Sequence, residues 1–123
     1  MTTRDSLRRQ GEATRRRVFG DDDGAPAYMR TVNTEATFGA LWSRPGLDRK
    51  TRSMLAIALL AALGHHEELK LHVRATRNTG VSRDEVKEVL LQTAVYAGVP
   101  AANSAFKDAR EAYRQLEEEE HKP

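Results

Sequence analysis

Met54, Leu55, Ala56, Ile57, Ala58, Leu59, Leu60, Ala61, Ala62 and Leu63 form ten apolar residues without a break. A membrane span needs about 20 such residues, so this run belongs inside a protein rather than across a bilayer. Asp48 is a good N-cap just before it and Gly64 a good stop just after it, which predicts a helix over 49–63. A helix that is apolar all round has to be covered all round. In a chain of 123 residues the neighbouring helices can cover part of it. The expectation is that a second copy of the chain covers the rest, making a homo-oligomer.

The remaining elements read as helices as well, because apolar residues recur at steps of three and four and breakers fall between the stretches. A first helix is predicted over 4–18, ending at Gly20, and a second over 26–42 with Pro26 in its first turn. Arg44, Pro45 and Gly46 then force a turn. A fourth helix is predicted over 65–78, before Asn78, Thr79 and Gly80. Ser82 and Glu85 have capping-box spacing, with Val81 and Val86 placed as a hydrophobic staple, so a fifth helix starts there and ends at Gly98. The sixth, over 100–116, carries Ala102, Ala105, Phe106, Ala109, Ala112, Tyr113 and Leu116 as one stripe. The fold class is therefore all-α, a single-domain bundle of six helices. Its expected divisions are a basic N-terminal helix or arm over 1–24, a helical domain over 25–116, and an acidic, disordered tail over 117–123.

Composition removes several function classes. There is no cysteine, which excludes disulfides, thiolate metal sites and cysteine nucleophiles. Residues 1–20 carry six Arg, one Asp and one Glu, but the whole chain is only +2. Aromatic residues do not interleave with those arginines before Phe19, so nucleic acid is not an expected partner. The polar start has no apolar segment of the kind a signal peptide needs. A soluble, cytoplasmic protein with no membrane partner is the expectation.

The chemistry-bearing residues gather after the apolar helix, in Gly64-His65-His66-Glu67-Glu68-Leu69-Lys70-Leu71-His72. His65, Glu68 and His72 share one helix face at spacings of three and four. They offer two imidazoles and a carboxylate within hydrogen-bond reach, while Lys70 points elsewhere, into solvent. Three readings stay open for the cluster: metal ligands, acid–base chemistry with Glu68 orienting His72, or a structural pair at an interface. The metalloprotease pattern His-Glu-x-x-His is absent, since His66-Glu67 is followed by Lys70. Arg44, Arg52 and Arg74 are candidates for holding a carboxylate. Trp42, the only tryptophan, reads first as core and second as a site wall.

These residues are similar to the carboxymuconolactone decarboxylase family, particularly its γ-carboxymuconolactone branch. The similar stretches are Trp42-Ser43-Arg44-Pro45-Gly46-Leu47, Thr51-Arg52-Ser53, Glu67-Glu68-Leu69-Lys70-Leu71-His72, the run from Asp84 to Gln92, and Tyr96-Ala97-Gly98-Val99-Pro100-Ala101-Ala102-Asn103. The resemblance implies an alkylhydroperoxidase D-like fold assembled as a trimer or hexamer. It also implies a cofactor-independent, metal-free decarboxylase that turns γ-carboxymuconolactone into 3-oxoadipate enol-lactone and CO2 in protocatechuate degradation. Peroxidase relatives carry Cys-x-x-Cys-x-x-x-His where this chain has His65, Glu68 and His72. The histidine carries over and the thiols do not, so cysteine-dependent peroxidase chemistry is excluded. Residues 25–40 match the branch poorly.

The expectation for the site is His72 as proton donor oriented by Glu68, with Arg52, Arg44, His65, Asn103 and Trp42 binding a carboxylated lactone. The alternatives are an enzyme of the same fold acting on another lactone or carboxylate, a non-catalytic helical interaction module, and a metal-dependent enzyme using His65, Glu68 and His72.

Overall fold

Caps written into the sequence set most of the helix boundaries. A computed structural model describes residues 3–20 and 33–121, and among these the order is α1 (Arg4–Phe19), α2 (Asn33–Trp42), α3 (Arg49–Leu63), α4 (His66–Thr79), α5 (Arg83–Ala97) and α6 (Val99–Glu120). Asp48 Oδ1 accepts the Thr51 N–H at 2.7 Å and starts α3. The Ser82–Glu85 box closes at 3.0 Å in both directions and starts α5. Gly64 and Gly80 end α3 and α4 at φ 75° and 86°, a region that suits glycine because it has no Cβ. No strand occurs among the described residues. None of the described helices is long and apolar enough to cross a membrane.

The second helix differs from the sequence reading in its winding, and the sixth in where it ends. The described part of the second helix is Asn33–Trp42, wound as a wide π-type helix, while Pro26 and the rest of the expected 26–32 stretch lie outside the described residues. The sixth helix runs four residues past the expected 116, to Glu120. Its last turns are held by Glu117 to Arg83 and Glu119 to Arg77, each at 3.0 Å. Residues 117–120 are thus helix rather than the disordered tail expected from their charge. The same carboxylates that suggested solvation find arginines on α4 and α5.

The helix α4 organises the packing, because its faces point three ways. At about 3.6 residues per turn, His66, Lys70, Arg74 and Arg77 share one side. Along it run the bonds to α6: His66 to Asp108 at 2.6 Å, Arg74 to Gln115, and Arg77 to Glu119. Leu69 and Val73 face the main core with Ile57, Val86, Leu90, Ala109 and Ala112. His72 and Ala75 face half a turn away from the α6 side, toward a second apolar cluster of Val18, Phe19, Phe38 and Trp42. That second cluster is the underside of the α1–α2 layer.

α1 and α2 cross backbone to backbone. A Cβ on Gly11 would overlap the Thr34 carbonyl oxygen and approach Gly39 N at 2.9 Å. A Cβ on Gly39 would meet the Leu7 carbonyl oxygen. The layer is latched by Thr14 to Ser43 at 2.7 Å, and by Asn78 Nδ2 donating to the Val18 carbonyl at 2.8 Å.

The apolar helix α3 is covered on one side only. Ser53, Ile57 and Ala61 are buried, whereas Leu55, Leu59 and Leu63 are 48%, 61% and 67% exposed. Within one chain the expected all-round cover is therefore missing. Exposed Val95 and Tyr96 of α5 extend the bare surface. Thr51, Leu55, Leu59, Val89 and Tyr96 help to line an apolar groove of about 550 Å³ along it.

Candidate active site

His72 sits in an aromatic box built by three helices. α1 supplies Phe19, whose ring meets the imidazole edge-on at 5.1 Å. α2 supplies Trp42, tilted over it at 6.2 Å, and Phe38, which meets Phe19 edge-on at 5.4 Å and Trp42 at a tilt at 5.6 Å. Nδ1 of His72 is shut off from solvent and has no hydrogen-bond partner among the described residues. A buried polar atom left without a partner is costly, so a fold that keeps one invites a role for it.

This surrounding sets the charge of the ring. Burial disfavours the imidazolium and pushes His72 down from the ordinary 6.5 to about 4, against the opposing pull of the Glu68 carboxylate. His72 is neutral near pH 7. The unfolded chain takes up a proton here below pH 6.5, but the folded chain only below about 4. Between those values the unfolded state holds more protons, so stability falls as pH falls. The loss reaches about 3 kcal/mol by pH 4. Urea unfolding at pH 7 and pH 4.5 checks this: His72→Leu is expected to lose about 2 kcal/mol less than the wild type across that interval. Equal losses in the two proteins would contradict it.

The sequence-predicted cluster is only partly brought together. His65, Glu68 and His72 do line one side of α4, but His65 and Glu68 are exposed while His72 turns inward. The expected Glu68–His72 hydrogen bond is not made. Side chains four apart share a face without having to share a direction, and the aromatic box draws the ring away from the rim. Glu68 acts on His72 through its charge alone. Lys70, expected in solvent, is only 20% exposed and pairs with Glu67 at 2.9 Å on the α6 side. Asn103 is exposed on α6, which packs on the flank of α4 opposite His72. Among the described residues no group of three or more His, Asp or Glu could hold a metal ion.

Sequence reasoning passed over two pairs. His66 bonds Asp108, 42 positions away, at 2.6 Å. Ser53 is fully buried and accepts a hydrogen bond from Thr79 Oγ1 at 2.9 Å. Both are long-range contacts with no local spacing signal. Ser53 stands directly before the unbroken apolar run of α3, among polar residues that hide it.

The two expected arginines divide their tasks. Arg52 donates from a terminal nitrogen to the Arg44 carbonyl at 3.3 Å and so pins the α2–α3 turn; its Nε is buried without a partner among the described residues. The Arg44 side chain and Trp42 line a cleft of about 470 Å³ between that turn and α1. Trp42 is thus shared: one wall of the cleft and one wall of the His72 box.

The sequence profile of the carboxymuconolactone decarboxylase family matches residues 26–111. The chain is 51% identical over 79 residues to a 4-carboxymuconolactone decarboxylase of Acinetobacter baylyi, covering 64% of this chain and 59% of that protein. It is 44% identical over 73 residues to the nitrosuccinic acid decarboxylase npaB of Metarhizium robertsii, covering 59% and 51%. An uncharacterized 15.0 kDa protein of Paracoccus denitrificans is 33% identical over 87 residues, covering 69% and 65%. The match spans between half and two-thirds of the length of each of these relatives.

Proposed function

Because the chain belongs to the carboxymuconolactone decarboxylase family, whose fold is all-α and alkylhydroperoxidase D-like, we propose that it decarboxylates γ-carboxymuconolactone (4-carboxymuconolactone) in the cytoplasm, with no cofactor. The observation that carries this reading is the 51% identity to a decarboxylase of that name. The histidine in its aromatic box, beside a cleft lined by arginines, supports it.

The reaction needs little from the protein, because the substrate is its own electron sink. The bond to the departing carboxylate breaks and CO2 leaves. The electron pair passes through the ring alkene onto the lactone carbonyl as a dienolate. A proton then adds at the carbon next to that carbonyl and gives the enol-lactone. Guanidinium groups hold the carboxylates, and hydrogen-bond donors steady the developing charge. His72 delivers the proton. It is neutral in the free protein, and a carboxylate arriving beside it raises its proton affinity. Glu68 adds to this through space, and Arg52 holds the turn that presents Arg44. His65 is exposed at the start of α4, Asn103 lies on the flank of α4 away from His72, and neither has an assigned step.

A second reading is a same-fold decarboxylase for another acid. Nitrosuccinic acid, named in one relative, carries a nitro group that can also accept the electron pair left by CO2. Steady-state turnover separates the two. Decarboxylation of γ-carboxymuconolactone at millimolar concentration supports the first reading. No turnover of it, with CO2 released from nitrosuccinic acid, supports the second.

We also propose that the bare α3–α5 face is closed by further copies of the chain, as a trimer or hexamer. Burying exposed leucines gives about 25 cal/mol for each Å² removed from water, and a charge placed there opposes it. Sedimentation is expected to give a multiple of 13.8 kDa for the wild type and a shift toward the monomer for Leu59→Asp. A wild type that sediments at 13.8 kDa at micromolar concentration would contradict this.

A further inference from the structure

Several arginines on this protein find carboxylates, among them Arg4 with Glu35, Arg77 with Glu119, Arg83 with Glu117, and Arg114 with Glu111, while Arg9, Arg16 and Arg110 stand apart on exposed surface. Arg17, Arg44 and Arg49 do not, among the described residues. All three line the same cleft of about 470 Å³, brought there from α1, the α2–α3 turn and the first residue of α3. Like charges gathered around a single carboxylate, that of Asp48, still repel one another, so their convergence points to a charge that arrives from outside.

We propose that this cleft is a dicarboxylate-binding site in which Arg17 and Arg49 act with Arg44. The identity of the dicarboxylate as substrate rests on the function proposed above; the binding of an anion does not. Three arginines less the single carboxylate of Asp48, whose Oδ1 is already held by the Thr51 N–H, leave a surplus of two positive charges. A dicarboxylate neutralises that surplus. The hydroxyls of the cleft are spent. Ser43 donates to the Phe38 carbonyl at 2.6 Å, so in the 2.7 Å contact with Thr14 the threonine must be the donor. Guanidinium groups therefore carry the recognition, with Gln10 at the edge, and guanidinium forks suit carboxylates. Trp42 and Leu47 give the cleft an apolar wall against which a flat ring can lie. Since the Trp42 ring also tilts over His72, a ligand seated there lies next to the box holding the histidine.

The test is equilibrium binding of glutarate, a stable dicarboxylate, to the full chain by calorimetry, with butyrate as the one-carboxylate comparison. Arg17→Gln and Arg49→Gln are each expected to weaken glutarate binding about tenfold or more, the loss of one charge-assisted contact. Arg9→Gln, on α1 but outside the cleft, is expected to leave it unchanged. Butyrate is expected to bind at least about tenfold more weakly than glutarate. Circular dichroism of each variant checks that the helices persist. The proposal is overturned if the wild type does not bind glutarate at millimolar concentration. It also fails if Arg17→Gln and Arg49→Gln bind like the wild type, or if Arg9→Gln weakens binding equally, which would mark a diffuse basic field. Glutarate binding that depends on Arg17 in a protein without lactone turnover would uphold this site and reject the proposed reaction.

Discussion

Replacing His72 by alanine is expected to lower kcat for γ-carboxymuconolactone by about 10²–10⁴, the range for one positioned proton donor. The size of the effect follows from how the ring is held. Phe19 and Trp42 fix its plane, and no hydrogen bond competes for Nδ1 among the described residues. Alanine removes the proton source and opens a void in the second apolar cluster. His72→Gln restores much of the volume without a titratable group, so it separates chemistry from packing. A fall in both variants, with unfolding midpoints that differ between them, assigns the loss to the proton. Turnover within threefold of the wild type in either variant would remove His72 from the reaction. Glu68→Gln should cost far less, about fivefold, because an exposed charge acting through solvent contributes about 1 kcal/mol.

Gly11→Ala is expected to destabilise the protein by about 3 kcal/mol and to lower Tm by roughly 10 °C. On helix propensity alone this substitution in the middle of α1 would stabilise by about 1 kcal/mol. Packing reverses the sign. The new Cβ overlaps the Thr34 carbonyl oxygen and comes within 2.6 Å of its carbon, and backbone cannot rotate aside as a side chain can. α1 and α2 must separate, and with them Phe19 and Trp42, the walls around His72. Activity should therefore fall along with stability. Glu12→Ala, one residue along and exposed, is the control and should stay within about 0.5 kcal/mol of the wild type. A thermal melt showing Gly11→Ala unchanged or stabilised would mean that the two helices do not cross at this point.

What could be read from the sequence was local. Asp48, Ser82 with Glu85, Gly64 and Gly80 each act within three or four residues, and each sits where its chemistry predicted. The stripe on α6 is likewise a property of one helix: Ala102, Ala105, Ala109, Ala112 and Leu116 are all buried. Contacts between distant residues carried no such signal. Gly11 and Gly39 look like helix weaknesses until the two backbones are seen to meet. Arg17 and Arg49 are unremarkable among 20 basic residues until the turn after α2 folds them around one cleft with Arg44. The acidic run from Glu117 looked solvated because its arginines are 34 and 42 positions away. For the site, spacing found His72 and put it on a face with Glu68. It could not show that aromatic residues from two other helices would turn the ring inward and strip its charge.

The proposed reaction removes CO2 from a carboxylated lactone and returns one proton to the ring. The most direct measurement uses γ-carboxymuconolactone labelled with ¹³C in the departing carboxylate, incubated with chelator-treated protein in D2O. Equal amounts of ¹³CO2 and enol-lactone are expected, with one deuterium at early times on the carbon next to the lactone carbonyl. Release of ¹³CO2 no faster than in buffer at millimolar substrate would contradict it.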